Sequence, residues 1–209
     1  GWSRRESGPL VERSGDSTWG FVFDATGDGT ADDVFVANYR QANEVFVHDG
    51  VGGWSRLESG PLVERTDGSR GGFVFDATGD GTADDVFVTN DGQANEVLVH
   101  DGVGGWRRCE SGPLVERTAN SRGGFVFDAR GDGTADDVFV ANYHDQANEV
   151  FVQDGVGGWS HRESGPLVEE VWVVNSGGLV HRVNPTSGFV FDATGDGTAD
   201  DVFVANSNQ

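Results

Sequence analysis

The chain has 209 residues with 35 acidic against 14 basic side chains, a formal net charge of −21, which sets it against nucleic acid and anionic membrane surfaces as partners. At 36% hydrophobic and 11% aromatic it carries enough apolar surface for a packed core, and 33 glycines without a Gly-X-Y period indicate many turns between short strands. The single cysteine, Cys109, excludes an internal disulfide, and no apolar run approaches the roughly 18 residues of a membrane helix.

The segment GWSRRESGPLVER opens at Gly1 and returns in altered form at Gly53, Gly105 and Gly158, so the chain reads as repeats 1–52, 53–104, 105–157 and 158–209. Within one unit, strands are predicted at Gly20 to Asp24, Asp33 to Asn38, Glu44 to His48 and Trp54 to Glu58. The first three are Phe/Val runs bounded by Gly, Asp and Asn. Asp49-Gly50 begins a glycine-rich hairpin connection into the Trp54 strand. Four short antiparallel strands in a unit of this length predict a propeller blade, and such units bury a continuous core only by stacking on their neighbours. The expected fold is therefore all-β, one β-propeller domain over 1–209 with four visible blades. It closes alone, by oligomerisation, or as part of a larger ring.

The fourth unit departs from the others, because EVWVVNSGGLVHR follows Glu169 and reads as an extra hairpin at about 170–182. The chain begins in a last strand and ends just after a second strand. Trp2 to Glu6 is thus a candidate to share the blade that begins with Phe189, with Glu170 to Val174 as a candidate third strand.

Between the first two strands of the first unit lies the loop of FVFDATGDGTADDVFVAN. Asp24, Thr26, Asp28 and Asp32 occupy positions 1, 3, 5 and 9, with the Thr30 carbonyl at position 7. Calcium takes six to eight oxygens at about 2.3–2.6 Å, so a short loop must curl its carboxylates inward, and Gly27 and Gly29 permit that curl. An EF-hand is excluded, since position 12 is Phe35 rather than a bidentate Glu and the flanks read as strands.

Four copies of D-A-[TR]-G-D-G-T-A-D-D-V-F-V resemble the FG-GAP/VCBS repeats, the calcium-binding blades of integrin-α-like propellers and of related fungal and bacterial lectins. The resemblance covers essentially the whole chain, and it implies a structural calcium in the loop of each blade, up to four in all. Carried over by position, the implied ligands of the second loop are Asp76, Thr78, Asp80, Thr82 and Asp84. Those of the third are Asp128, Asp132, Thr134 and Asp136, and those of the fourth are Asp192, Thr194, Asp196, Thr198 and Asp200. Two departures weaken the pattern: Thr stands at position 3 where Asn or Asp is usual, and Arg130 in the third loop is no ligand.

Trp2, Trp54, Trp106 and Trp159 recur at one position, where they serve either as packing between blades or as platforms on which a sugar stacks. His48 and His100 precede an Asp-Gly pair and Gln153 replaces them in the third unit, which suits a turn role better than catalysis. Arg130-Gly131-Asp132 spells an adhesion tripeptide, but Asp132 is expected to face a metal. No nucleophile–base pair, zinc spacing or phosphate loop stands out, and near-identical repeats of Glu44, Glu96 and Glu149 do not make one asymmetric active site. The expected function is a secreted, calcium-stabilised recognition module, lectin-like or adhesive, that binds glycans or extracellular glycoproteins and can form homo-oligomers. The alternative is a structural block of an extracellular coat or filament.

Overall fold

The computed structural model describes residues 8–11, 15–66, 68–144, 146–165, 167–168, 172–174, 180–182, 184–191 and 201–207. The chain is all-β, with antiparallel pairing throughout. In the first unit β1 (Ser17–Phe23), β2 (Asp33–Asn38), β3 (Glu44–His48) and β4 (Trp54–Arg56) form one sheet in chain order. The second unit repeats this with β5 (Ser69–Phe75), β6 (Asp85–Ala94), β7 (Glu96–His100) and β8 (Trp106–Arg108). In the third, a helical turn α1 (Pro113–Glu116) precedes β9 (Thr118–Phe127), β10 (Asp137–Asn142), β11 (Glu149–Gln153) and β12 (Trp159–His161).

Where the sequence places an additional hairpin, β13 (Trp172–Val174) pairs with β14 (Val180–Arg182), and β15 (Asn184–Phe191) then pairs with β16 (Asp201–Ser207). The proposed sharing of a blade by Trp2 to Glu6 lies outside the described residues, and so does the fourth loop at 192–200.

The register is the same in every unit, pairing Phe21 with Phe35, Phe73 with Phe87, Phe125 with Phe139 and Phe189 with Phe203. The middle strands fall where the Phe/Val runs predict them. The first strand starts at Ser17 rather than Gly20, because the Ser17 hydroxyl donates to Asn38 Oδ1 at 2.9 Å and carries the pairing outward. The last strand ends at Arg56 rather than Glu58, with one further bond from Leu57 N–H to the Val45 carbonyl.

A feature the periodicity does not predict is the pairing of β6 with β9, Asp91 opposite Asn120 and Ala94 opposite Thr118. It joins the second and third units into one eight-stranded sheet, strongly curled into a half-barrel.

Strand side chains alternate between two faces. One face of each unit carries phenylalanines and the other carries valines, and the core lies where the first meets the second. Phe21, Phe23 and Phe35 of the first unit pack with Val74, Val86 and Val88 of the second. Phe73, Phe75 and Phe87 pack in turn with Val126, Val138 and Val140, and Phe125, Phe127 and Phe139 with Val190 and Val202. Glycine makes this approach possible: a Cβ on Gly72 would stand 2.9 Å from the Phe21 ring, on Gly124 2.9 Å from Phe73, and on Gly188 2.7 Å from Phe125.

Candidate functional site

The Asp/Gly loops sit where one unit meets the next. After β1 the chain turns back sharply, with Gly27 and Gly29 at φ of 74° and 86°, in the left-handed region that glycine enters without steric cost. Asp24 Oδ1 accepts the Gly27 N–H at 2.7 Å and its Oδ2 accepts that of Gly29 at 2.7 Å. Burial pushes the Asp24 carboxyl up, but the N–H groups of Gly29, Gly27 and Asp28 outweigh it and hold the group below its ordinary range, so it stays ionised. Asp28 Oδ1 accepts the Thr30 N–H at 2.8 Å. The second loop repeats these bonds through Asp76 and Asp80.

Behind each of the three described loops is a clamp made by the acid that opens the next strand. Asp33 is 1% exposed; its Oδ2 accepts the Ala25 N–H and its Oδ1 the His48 N–H, both at 2.8 Å. Asp85 and Asp137 do the same for their units. Burial raises all three carboxyls, Asp85 to about 6. The signal was present in the chain, because an acid at the start of a Val/Phe strand in every unit needs a buried partner set.

His48 links the loop to its own hairpin. Its Nδ1 lies 2.7 Å from Asp32 Oδ2, and its Nε2 accepts the Gly52 N–H at 3.1 Å, which assigns the proton to Nδ1. His100 stands likewise between Asp84 and Gly104. Gln153, at the same position, instead donates to the Asp76 carbonyl of the preceding unit at 2.6 Å.

In the third loop Arg130 folds back onto the acids. Its guanidinium lies 2.6 Å from Asp136, 3.1 Å from Asp132 and 3.4 Å from the buried Asp137. A side chain with a fixed positive charge therefore stands among the carboxylates that the pattern assigns to a cation. The tripeptide Arg130-Gly131-Asp132 is closed on itself by the same ion pair.

Hard oxygen donors are the right chemistry for calcium in the first two loops, and the loop amides keep Asp24 charged. Among the described residues no three His, Cys, Asp or Glu side chains converge on one point, so these oxygens are held by the chain's own N–H groups. Asp192, Thr194, Asp196, Thr198 and Asp200 lie outside the described residues.

The tryptophans cross the junction. Trp106 Nε1 donates to the Ala25 carbonyl and Trp159 Nε1 to the Ala77 carbonyl, both at 2.9 Å, while their rings lie against Phe23 and Phe75. The first and second loops are thus each tied to the outer strand of the next unit, and a Cβ on Gly27 would stand 2.5 Å from the Gly104 nitrogen. Trp54 lies against His48 with centroids 4.8 Å apart and the rings tilted by 42°, and Trp2 lies outside the described residues.

A cleft of about 380 Å³ opens beside Trp159, lined also by Thr78, Arg107, Cys109, Ser111 and Leu114. The repeated glutamates are buried and paired with arginines: Glu44 with Arg56, Glu96 with Arg65 and Arg108, and Glu149 with Arg117. No family model matches the chain, and no curated protein matches it.

Proposed function

We propose that the chain is a calcium-clasped β-propeller of the FG-GAP/VCBS type that recognises glycans in the clefts between its units. The cleft beside Trp159 carries this reading. It is concave, and it is lined by Trp159 and Leu114 together with Thr78, Arg107 and Ser111. Because Trp159 spends its N–H on Ala77, it contributes apolar surface only, and specificity falls to Arg107 and the hydroxyls.

Calcium belongs in the first, second and fourth loops, held by Asp24, Asp28 and Asp32 and their counterparts, where it supplies charge that neutralises the acids and fixes the loop. Arg130 takes that role in the third. On this reading the requirement for abundant free calcium supports a location outside the cell or on its surface.

A glycan array with the whole chain in calcium tests the recognition reading: binding to a saccharide that weakens at least tenfold in Arg107→Ser supports it. Silence across the array sinks it. Arg107 is exposed, so its loss spares the core. The second reading, a building block of an extracellular assembly, draws on a different observation, the exposure of Val22 and Trp19 on the first unit.

A further inference from the structure

Each of the three junctions among the described residues follows one rule, in which the phenylalanine face of a unit meets the valine face of the unit after it. The first unit has the same valine face, with Val22, Val34 and Val36 where the second has Val74, Val86 and Val88. Val86 and Val88, like Val138 and Val140 of the third unit, are 0% exposed, whereas their counterparts Val34 and Val36 are half-buried; Val22 is 56% exposed where Val74 is half-buried, and the neighbouring Trp19 is 53% exposed. Gly20 is the counterpart of Gly72, yet among the described residues a Cβ there would meet the Phe35 carbonyl at 3.2 Å and no aromatic ring. Among the described residues the groove that takes a phenylalanine at each later junction is therefore open here at its Gly20, Val22 and Trp19 edge, while Phe46, opposite Val34 on the same face, is buried.

At the other end, β15 and β16 present the opposite face. Phe203 is 47% exposed, although its equivalents Phe35, Phe87 and Phe139 are each 0% exposed. The register that buries those rings is kept at Phe203, which pairs with Phe189 as Phe35 pairs with Phe21.

We propose that these two faces are the halves of one interface and that a second copy of this chain fills it, the Gly20/Val22 face of one copy receiving the Phe203 face of the other. The three junctions inside the chain supply the template, so the occupant needs no chemistry that the chain lacks. Two different patches meet in such a contact, which makes it head-to-tail rather than isologous; it closes if the rotation permits. Two copies together carry eight repeats, the upper end of the roughly four to eight over which propellers close. The inference stands on the stacking surfaces alone and survives if the cleft beside Trp159 binds nothing.

Light scattering on the whole chain, from about 1 to 100 µM, reads the answer. The expected particle has twice the 22.2 kDa chain mass. Val22→Arg and Phe203→Arg each keep one sound face and alone are expected to run as single chains. An equimolar mixture of the two regains the two-chain mass, since the sound Phe203 face of the first variant fits the sound Val22 face of the second. Dimers that persist in Phe203→Arg alone would mean an isologous contact and overturn the proposal. A wild-type particle of single-chain mass overturns it too, because the chain's own remaining residues then cover both faces. Circular dichroism of each variant guards against misfolding, and the milder Val22→Thr, which leaves shape nearly unchanged, is expected to weaken association about tenfold.

Discussion

Asp85 is a carboxylate placed where an amide would fail. Its two oxygens take N–H groups from His100 and Ala77, so Asp85→Asn would turn an NH₂ toward a donor and leave one buried N–H unpaired. The expected cost is about 1–3 kcal/mol by urea denaturation at pH 7. Burial, outweighing the N–H bonds from His100 and Ala77 and reinforced by Asp84 and Asp76, pushes Asp85 up to about 6, above the ordinary 3.8. The folded state then binds more protons than the unfolded one across that window. This group's contribution is complete below about pH 4 and is lost as pH rises through about 6. In chelator, stability of the wild type should fall between pH 4.5 and 6.5, with a smaller slope in Asp85→Asn; equal slopes would remove Asp85 as the cause. Arg130 makes the opposite kind of prediction. Its guanidinium occupies Asp132, Asp136 and Asp137, so calorimetric titration should count one more calcium per chain in Arg130→Thr than in the wild type. An unchanged count would show that the arginine is not the stand-in cation.

At the level of elements, the repeated junction predicts an asymmetry between glycines that look alike in the sequence. A Cβ on Gly72 would lie 2.7 Å from the Phe87 carbonyl and 2.9 Å from the Phe21 ring, so Gly72→Ala overpacks the junction and should cost about 1–3 kcal/mol. Among the described residues Gly20→Ala meets the Phe35 carbonyl alone, at 3.2 Å, and should cost well under half as much in the single chain; equal losses in a denaturant titration would contradict the stacking rule. The strands of each unit were legible because Phe/Val runs between Gly, Asp and Asn leave little choice of boundary, and β2 and β3 run from Asp33 to Asn38 and from Glu44 to His48 as read. The left-handed Gly27 and Gly29 were legible for the same local reason. What escaped the sequence is long-range and polar. The β6–β9 pairing joins Asp91–Ala94 to Thr118–Asn120, segments with no apolar period, and the Trp106 bond to Ala25 spans two units. The Nδ1 contact of His48 with Asp32 was likewise out of reach, whereas the clamp at Asp33 left a trace in the acid that opens a Val/Phe strand in every unit.

For the molecule as a whole, stability in a stacked array is a sum of unit and junction terms, and here the loops belong to the junctions. Loop one is bound to the second unit through Ala25 and Trp106, and loop two to the third unit through Ala77 and Trp159. A cation that stiffens a loop therefore stiffens the contact between units. If the loops bind calcium as proposed, with a dissociation constant on the order of 10⁻⁴ M, millimolar calcium would stabilise each site by roughly 1.4 kcal/mol, or about 4 kcal/mol for three loops. For a chain of this size that amounts to about 8–16 °C in melting temperature, which chelator should remove; an unchanged melt would take the metal out of the account. The same reasoning couples the metal to the indole. Trp106→Phe keeps the ring against Phe23 but gives up the bond to Ala25, an expected loss of about 1 kcal/mol in calcium. In chelator the loop that presents the Ala25 carbonyl is already loosened, so the same substitution should cost measurably less. Additive losses would mean that loop and junction are independent, and that the metal, wherever it binds, does not hold the units together.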